Sequence, residues 1–319
     1  MNKKERLKRA IQFHVVDFSF SSGDEYDFSK HRRLTGHRDK DFFTMGAGKF
    51  EHMLQTLTFQ GSSYITYINH QLEYGAIPPK VSVLKKTINS DNYRSNVSIE
   101  KLLYAEVLAS QLLEYFDAPT PYNLAVNYNA EVDQDTYEVV SVDFLEEKQK
   151  FLTFDDLGCI FEGKLEDNIR QIRYELSLEM FDDYSDEDKK KVVEDYAYSF
   201  FVRRYLLRDR DFAHNNCGII VDVENKRLQY INFDFEYAFG TERVYLNDNL
   251  FYCLREFPDV FERFFTELVE FREIFKELVS EGITFDNYFH RDYIEDLCYS
   301  VEGSYWTIKK MDYRKGIGR

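Results

Sequence analysis

The sequence predicts an α+β chain in two parts. One is a small, strand-rich N-terminal part with one main helix; the other is a larger helical C-terminal part that holds a strand pair. Three observations predict it. Short runs rich in β-branched and aromatic residues recur up to residue 145, broken by one long apolar-periodic segment. Beyond residue 150 the apolar residues recur at helical spacing. No Gly/Ser linker separates the two regimes, so the change of character itself sets the boundary near 145–150, giving parts at 1–146 and 147–319.

The elements follow in order. "VVDFSF" (15–20), "YITYIN" (64–69) and "VSVLKKTI" (81–88) read as strands, and a turn-rich insert fills 21–45. "MGAGKF" (45–50) is no Walker motif, because the upstream Gly is missing and Phe50 stands where a Ser or Thr would bind Mg²⁺. Gly46–Lys49 reads equally as a glycine turn over phosphates or as an ordinary hairpin turn. A helix over 98–116 starts at the N-cap Ser98, and "APTP" (118–121) stops it. Strands follow at 122–128 and 137–145. A helix over 185–207 is capped by Ser185, has acids in its first turn, and carries Val192, Tyr196 and Phe200 on one face. A last long helix spans 258–282, with Phe261, Phe265, Leu268 and Phe275 at helical spacing.

Composition excludes several function classes. Apolar residues make up 44% of the 319, too many for a disordered chain, and the 24 Tyr and 29 Phe are core material. A net charge of −16 argues against nucleic acid as a partner, since phosphate binding needs a basic surface. The basic ends, Lys3 to Arg9 and Lys309 to Arg319, read as solvated tails. Cys159, Cys217, Cys253 and Cys298 stand apart with no C-x-x-C pair, which argues against a zinc site and a disulfide framework. No run of about 18 apolar residues occurs, so no membrane partner is expected. The broken stretch "IQFHVVDFSF" does not read as a signal segment. The expected address is cytoplasmic, with signal-less secretion left open.

The chemistry concentrates in "RDRDFAHNN" (208–216), which lies between the helix ending near 207 and the strands "CGIIVDV" and "RLQYINF". A hairpin turn centred on Asn225 would set residue 217 opposite 233 and Asn216 opposite Asp234, with Cα atoms roughly 5 Å apart. An amide oxygen and a carboxylate converging there suit a hard cation such as Mg²⁺, with phosphates and water completing its shell. Asp211, five residues before Asn216, is placed to orient or deprotonate an attacking hydroxyl. D-x-x-x-x-N, then a hairpin, then a strand-terminal Asp is the pattern of the protein-kinase superfamily, and Arg210 reproduces its R-D pair. His214 reads as a packing or hydrogen-bonding residue, because no H-x-H or H-D pair supports a metallohydrolase.

Two further residues complete that reading. On the helix 98–116, Leu102, Ala109 and Leu113 share an apolar stripe with Glu106 in its middle. A lone carboxylate there is costly unless paired. A lysine from the preceding strand would pair it, and Lys85 is favoured over Lys86 because it shares a face with Val81 and Val83. That lysine would hold the α- and β-phosphates of ATP. The strand 137–145 would link the two parts, with backbone groups at Ser141, Val142 and Asp143 facing the adenine.

With these residues in view, the chain resembles the HipA-like kinases, a bacterial branch of the protein-kinase-like two-lobed fold. The resemblance rests on "VVDFSF", "AEVLASQLLEYFDAPTPYN" (105–123), "VVSVDFLEE" (139–147), and "RDRDFAHNNCGII" followed by "YINFDFEYAFG". It implies ATP- and Mg²⁺-dependent Ser/Thr phosphorylation of self or another protein, and an antitoxin-like regulator among the partners. It makes Asp211 the catalytic aspartate, Asn216 and Asp234 metal ligands, Lys85 a phosphate ligand, and Glu106 the partner of Lys85. The chain departs from the family in three places. His214 comes third after the catalytic Asp, Glu236 replaces the glycine of the D-F-G triplet, and the small-lobe phosphate loop is poorly matched. Two other readings stay open: a small-molecule kinase of the aminoglycoside-phosphotransferase type, and a nucleotide-binding pseudokinase or interaction module.

Overall fold

The structure is a computed structural model and describes residues 2–11, 16–17, 25–26, 40–46, 80–87, 99–120, 123–127, 137–142, 149–235, 237–240, 247–283, 293–303 and 305–306. The architecture is a mixture of helix and sheet in two compact units. The first comprises Met1–Tyr115, Thr120–Glu146 and Asp234–Tyr237; the second comprises Phe116–Pro119, Glu147–Phe233 and Ala238–Arg319.

The first unit is built on a six-stranded sheet. Its strands are β1 (Val16–Asp17), β2 (Glu25–Tyr26), β3 (Lys40–Gly46), β4 (Lys80–Thr87), β5 (Asn123–Asn127) and β6 (Tyr137–Val142), in the order β1-β5-β6-β4-β3-β2. Among the described strands only the β1–β5 pair is parallel. β4 carries Lys85 opposite Asp41 on β3 and Val140 on β6. Ser141 lies opposite Leu84 and Asn123, and Val142 opposite Val83. β2 and β3 occupy the stretch expected to be a turn-rich insert. The apolar pair Phe42–Phe43 is enough to make a strand once β4 pairs with it, although charged and glycine-rich flanks hide it in the sequence. The expected strand at 64–69, residues 47–50 of the glycine turn, Asp143 and the Lys85 side chain lie outside the described residues.

Among the described residues, two helices accompany this sheet, α1 (Lys3–Ile11) and α2 (Ile99–Tyr115). Residues 105–113 of α2 are all buried, so the narrow apolar stripe expected from the sequence is instead a helix covered nearly all round. α2 has no basic residue in its own last turn. α1 supplies one: the Arg6 guanidinium donates to the Glu114 carbonyl at 2.9 Å, and the Lys3 ammonium lies 5.7 Å from the centre of the Tyr115 ring. A cation at the C-terminal end of a helix satisfies orphan carbonyls and opposes the helix dipole. Leu7 and Ala10 are buried.

The second unit holds a three-stranded antiparallel sheet, β7 (Gln149–Thr153), β8 (Cys217–Asp222) and β9 (Arg227–Asn232). Around it are α3 (Leu165–Leu176), α4 (Asp186–Phe201), α5 (Asn247–Glu256) and α6 (Pro258–Ser280), with residues 293–303 also helical. Ser185 caps α4 as expected, its hydroxyl accepting from the Asp188 N–H at 3.1 Å. Tyr196 and Phe200 of α4 pack in an aromatic core with Phe154, Phe212 and Tyr230. On α6, Phe261, Leu268 and Phe275 are buried, whereas Phe265 is half-buried against Tyr305. Gly218 is required where it stands: a Cβ there would come 2.2 Å from the Leu152 carbonyl oxygen, so only glycine lets β7 and β8 approach.

Candidate functional site

The helix expected to run to residue 207 changes character at 202. α4 ends at Phe201, and Val202–Leu206 continues as a π-helical turn. Such turns widen the helix locally and re-aim side chains. Arg203, within this turn, is fully buried. Its guanidinium is held on four sides. Nε donates to Asp209 Oδ2 at 2.7 Å, and Nη2 donates to the same oxygen. Nη1 donates to the carbonyls of Asn216 at 2.9 Å and Phe233 at 3.2 Å, and the Phe212 ring stacks beneath at 4.5 Å. Burial pulls the guanidinium's pKa down most strongly; the Asp209 carboxylate beside it, together with Tyr230 and Cys217, outweighs that and leaves it raised.

The loop that follows is organised around this pair. Asp209 is 1% exposed, and its Oδ1 accepts the Asp211 N–H at 3.0 Å. Arg204 tethers the same loop through its carbonyls, donating to those of Asp209 and Phe212 at 3.2 and 2.9 Å. Asp211 itself is exposed. Asn216 is buried, and its amide nitrogen donates to the Asp211 carbonyl at 2.6 Å and to Asp211 Oδ2 at 2.9 Å. Both donations use nitrogen, so oxygen is the atom that Asn216 can offer a cation. His214 has the hydrogen-bonding role expected of it. Its Nδ1 accepts the Phe161 N–H at 3.3 Å, and its Nε2 lies 3.5 Å from Asp155 Oδ1.

The hairpin register differs by one residue from the sequence expectation. Asp222 pairs with Arg227, leaving a four-residue turn, Val223–Lys226, with Lys226 in the left-handed region at φ 52°. Asp222 stabilises it by accepting the Asn225 N–H at 2.9 Å. Cys217 therefore pairs with Asn232, and the Phe233 N–H reaches the Asn216 carbonyl at 3.2 Å. Asn216 faces Phe233, not Asp234. A turn centred between Glu224 and Asn225, rather than on Asn225, accounts for the shift.

Asp234 comes next and adopts φ 60°, a conformation that short polar side chains tolerate. The following N–H, of Phe235, donates to Glu106 Oε2 at 2.5 Å within the first unit. Glu106 is 4% exposed, so it is a buried, partnered carboxylate on α2 and does not reach out to water. The structure thus joins Asp211 with Asn216, and Glu106 with the residue after Asp234. Lys85, Ser141 and Val142 are placed as backbone on β4 and β6.

Sequence reasoning missed Arg203 and Asp209. Their signal was present: an arginine pair inside "SFFVRRYLL", a mostly apolar helix end, with an aspartate six residues after the first of the pair. Among the described residues, no group of three or more His, Cys, Asp or Glu side chains is arranged to hold a metal ion. The Asn216 side-chain oxygen and the Asp234 carboxylate are each of the donor type that Mg²⁺ takes, and that ion needs few protein ligands when substrate phosphates supply the rest. Among the described residues no helix is long and apolar enough to cross a membrane.

No protein-family model matches the sequence, and no curated protein matches it. Among solved structures, the chain is similar to the crystal structure of a proinflammatory kinase, CtkA, from Helicobacter pylori. The TM-score is 0.49 at 12% sequence identity, covering 91% of this chain and 94% of that one.

Proposed function

We propose that this chain is an ATP- and Mg²⁺-dependent phosphotransferase, a serine/threonine protein kinase of the HipA-like type that acts on itself or on another protein. The observation that carries the reading is the bond from the Asn216 amide to the Asp211 carboxylate and carbonyl. It makes one unit of the two residues that the D-x-x-x-x-N spacing singles out. Mg²⁺·ATP, when bound, supplies the phosphoryl group and neutralises its charge. The chain's own residues do the rest. The Asp211 carboxylate, hydrogen-bonded by the Asn216 amide, accepts the proton of the acceptor hydroxyl. The Asn216 oxygen and the Asp234 carboxylate would hold the metal. Lys85 would hold phosphate and Glu106 would pair with Lys85, while also accepting the Phe235 N–H beside Asp234. Ser141, Val142 and Asp143 offer backbone groups to the adenine.

The test is transfer of labelled phosphate from ATP to the chain itself, to a generic protein and to a panel of small molecules. Asp211→Asn is expected to lower turnover by about 100-fold or more while ATP affinity stays within a few-fold. Transfer only to small molecules would favour the aminoglycoside-phosphotransferase type. ATP binding without transfer would make the chain a nucleotide-binding module. Unchanged turnover in the Asn variant would remove Asp211 from the mechanism.

A further inference from the structure

We propose that Arg203 and Asp209 form a buried clamp that positions the Asp211–Asn216 loop for phosphoryl transfer; the inference rests on reading Asp211 as the catalytic aspartate. One planar guanidinium joins three separate stretches of chain. It binds the Asp209 carboxylate at the start of the loop, the Asn216 carbonyl at its end, and the Phe233 carbonyl just past the end of β9. Asp209 then uses its second oxygen on the Asp211 N–H. The loop is closed on itself by Asn216 donating to Asp211. Asp211 and Asn216 are therefore fixed through backbone atoms at both ends, and the buried Asn216 amide meets the exposed Asp211 carboxylate across the closed loop.

Stability alone does not account for this arrangement. Both charged side chains are fully out of water, and a buried ion pair gains little over well-packed apolar residues of similar size. What apolar residues could not provide is the fork of donors. Lysine could not provide it either, because a point charge does not bind a carboxylate and two carbonyls in one plane. The hydroxyl acceptor has to meet the Asp211 carboxylate in a narrow range of positions, and a misplacement of about 1 Å costs on the order of 100-fold in rate. The π turn at Val202–Leu206 sets Arg203 facing this loop. Arg203 and Asp209 thus act through Asp211 and Asn216 as positioning residues.

The experiment compares the wild type with the double variant Arg203→Met/Asp209→Leu, which replaces both charges at once, and with Arg203→Lys. Three quantities are read: the melting temperature, kcat and KM for ATP, and the hydrogen exchange of the Asp211 amide. The double variant is expected to stay folded, to lose about 100-fold in kcat, and to keep its KM for ATP within a few-fold. Its Asp211 amide should exchange at least about tenfold faster. A folded double variant with wild-type kcat and Asp211 protection would overturn the clamp. If the double variant does not fold, Arg203→Lys decides: loss of kcat at constant KM supports the clamp, and wild-type kcat sinks it. If the wild type transfers no phosphate, the proposed function fails on its own account. Asp211 exchange in whichever variant folds then decides the clamp, since faster exchange supports it and unchanged exchange overturns it.

Discussion

Asp195 on α4 shows how a single residue couples this fold to pH. Its side chain is 10% exposed, and Lys191 one turn earlier donates to both its oxygens, at 3.0 and 2.9 Å. Burial raises the carboxyl's pKa from its ordinary 3.8, and Lys191 only partly offsets this. The folded chain therefore holds this proton more tightly than the unfolded chain does. Its contribution to stability is full below the ordinary pKa and is lost as pH rises through the raised folded value. Asp195→Asn is expected to remove that loss. Denaturant titrations across mildly acidic to neutral pH should show the variant gaining on the wild type as pH rises, then levelling off. A difference independent of pH would mean that Asp195 does not titrate differently in the folded state. Residues of this kind set the limit of what a sequence discloses. Asp211, Asn216 and Glu106 stand out because their chemical type is unusual for their spacing or their helical face. Asp209 looks like any other acid in "RDRD", and only its burial against Arg203 distinguishes it.

At the scale of elements, what was legible followed local physics. The Ser185 cap, α2 and the β8–β9 hairpin were all readable from periodicity and turn chemistry. β3 was not, because its strand character comes from pairing with β4, a contact distant in sequence. The π turn was not readable either, since its residues are ordinary helix formers. The hairpin register slipped by one because "VENK" accommodates turns of neighbouring lengths equally well. α1 is the element whose role was read wrongly, as a solvated tail. It is amphipathic, with Leu7 fully buried and Arg6 capping the Glu114 carbonyl of α2. Leu7→Ala should cost about 2–3 kcal/mol through transfer and cavity terms. Arg6→Ala should cost about 1 kcal/mol through the lost charge-assisted bond. Both are measured by denaturant midpoints at constant m-value. If both substitutions leave the midpoint unmoved, α1 does not hold α2 in solution.

For the molecule as a whole, the chain crosses between its two units more than once, so the simple division read from composition becomes an exchange of short segments. Phe116–Pro119 belongs with the second unit and Asp234–Tyr237 with the first. Composition averages over long windows and is blind to four-residue exchanges, although the second of these carries Asp234, a metal ligand in the proposed function. All four cysteines belong to the second unit, at or near different elements: Cys159 after β7, Cys217 at the start of β8, Cys253 in α5 and Cys298 in the helical stretch 293–303. Each is buried and free. Burial pushes the thiols of Cys159 and Cys217 up to about 12 and that of Cys298 to about 11, and raises Cys253 as well. Alkylating reagents attack the thiolate, so at neutral pH the closed protein should be nearly inert to them. Modification then reports opening, and mass spectrometry of timed samples would assign each opening to its cysteine without any substitution. The four sites make a native record of which parts of the second unit loosen first. Immediate labelling of all four under native conditions would contradict their burial.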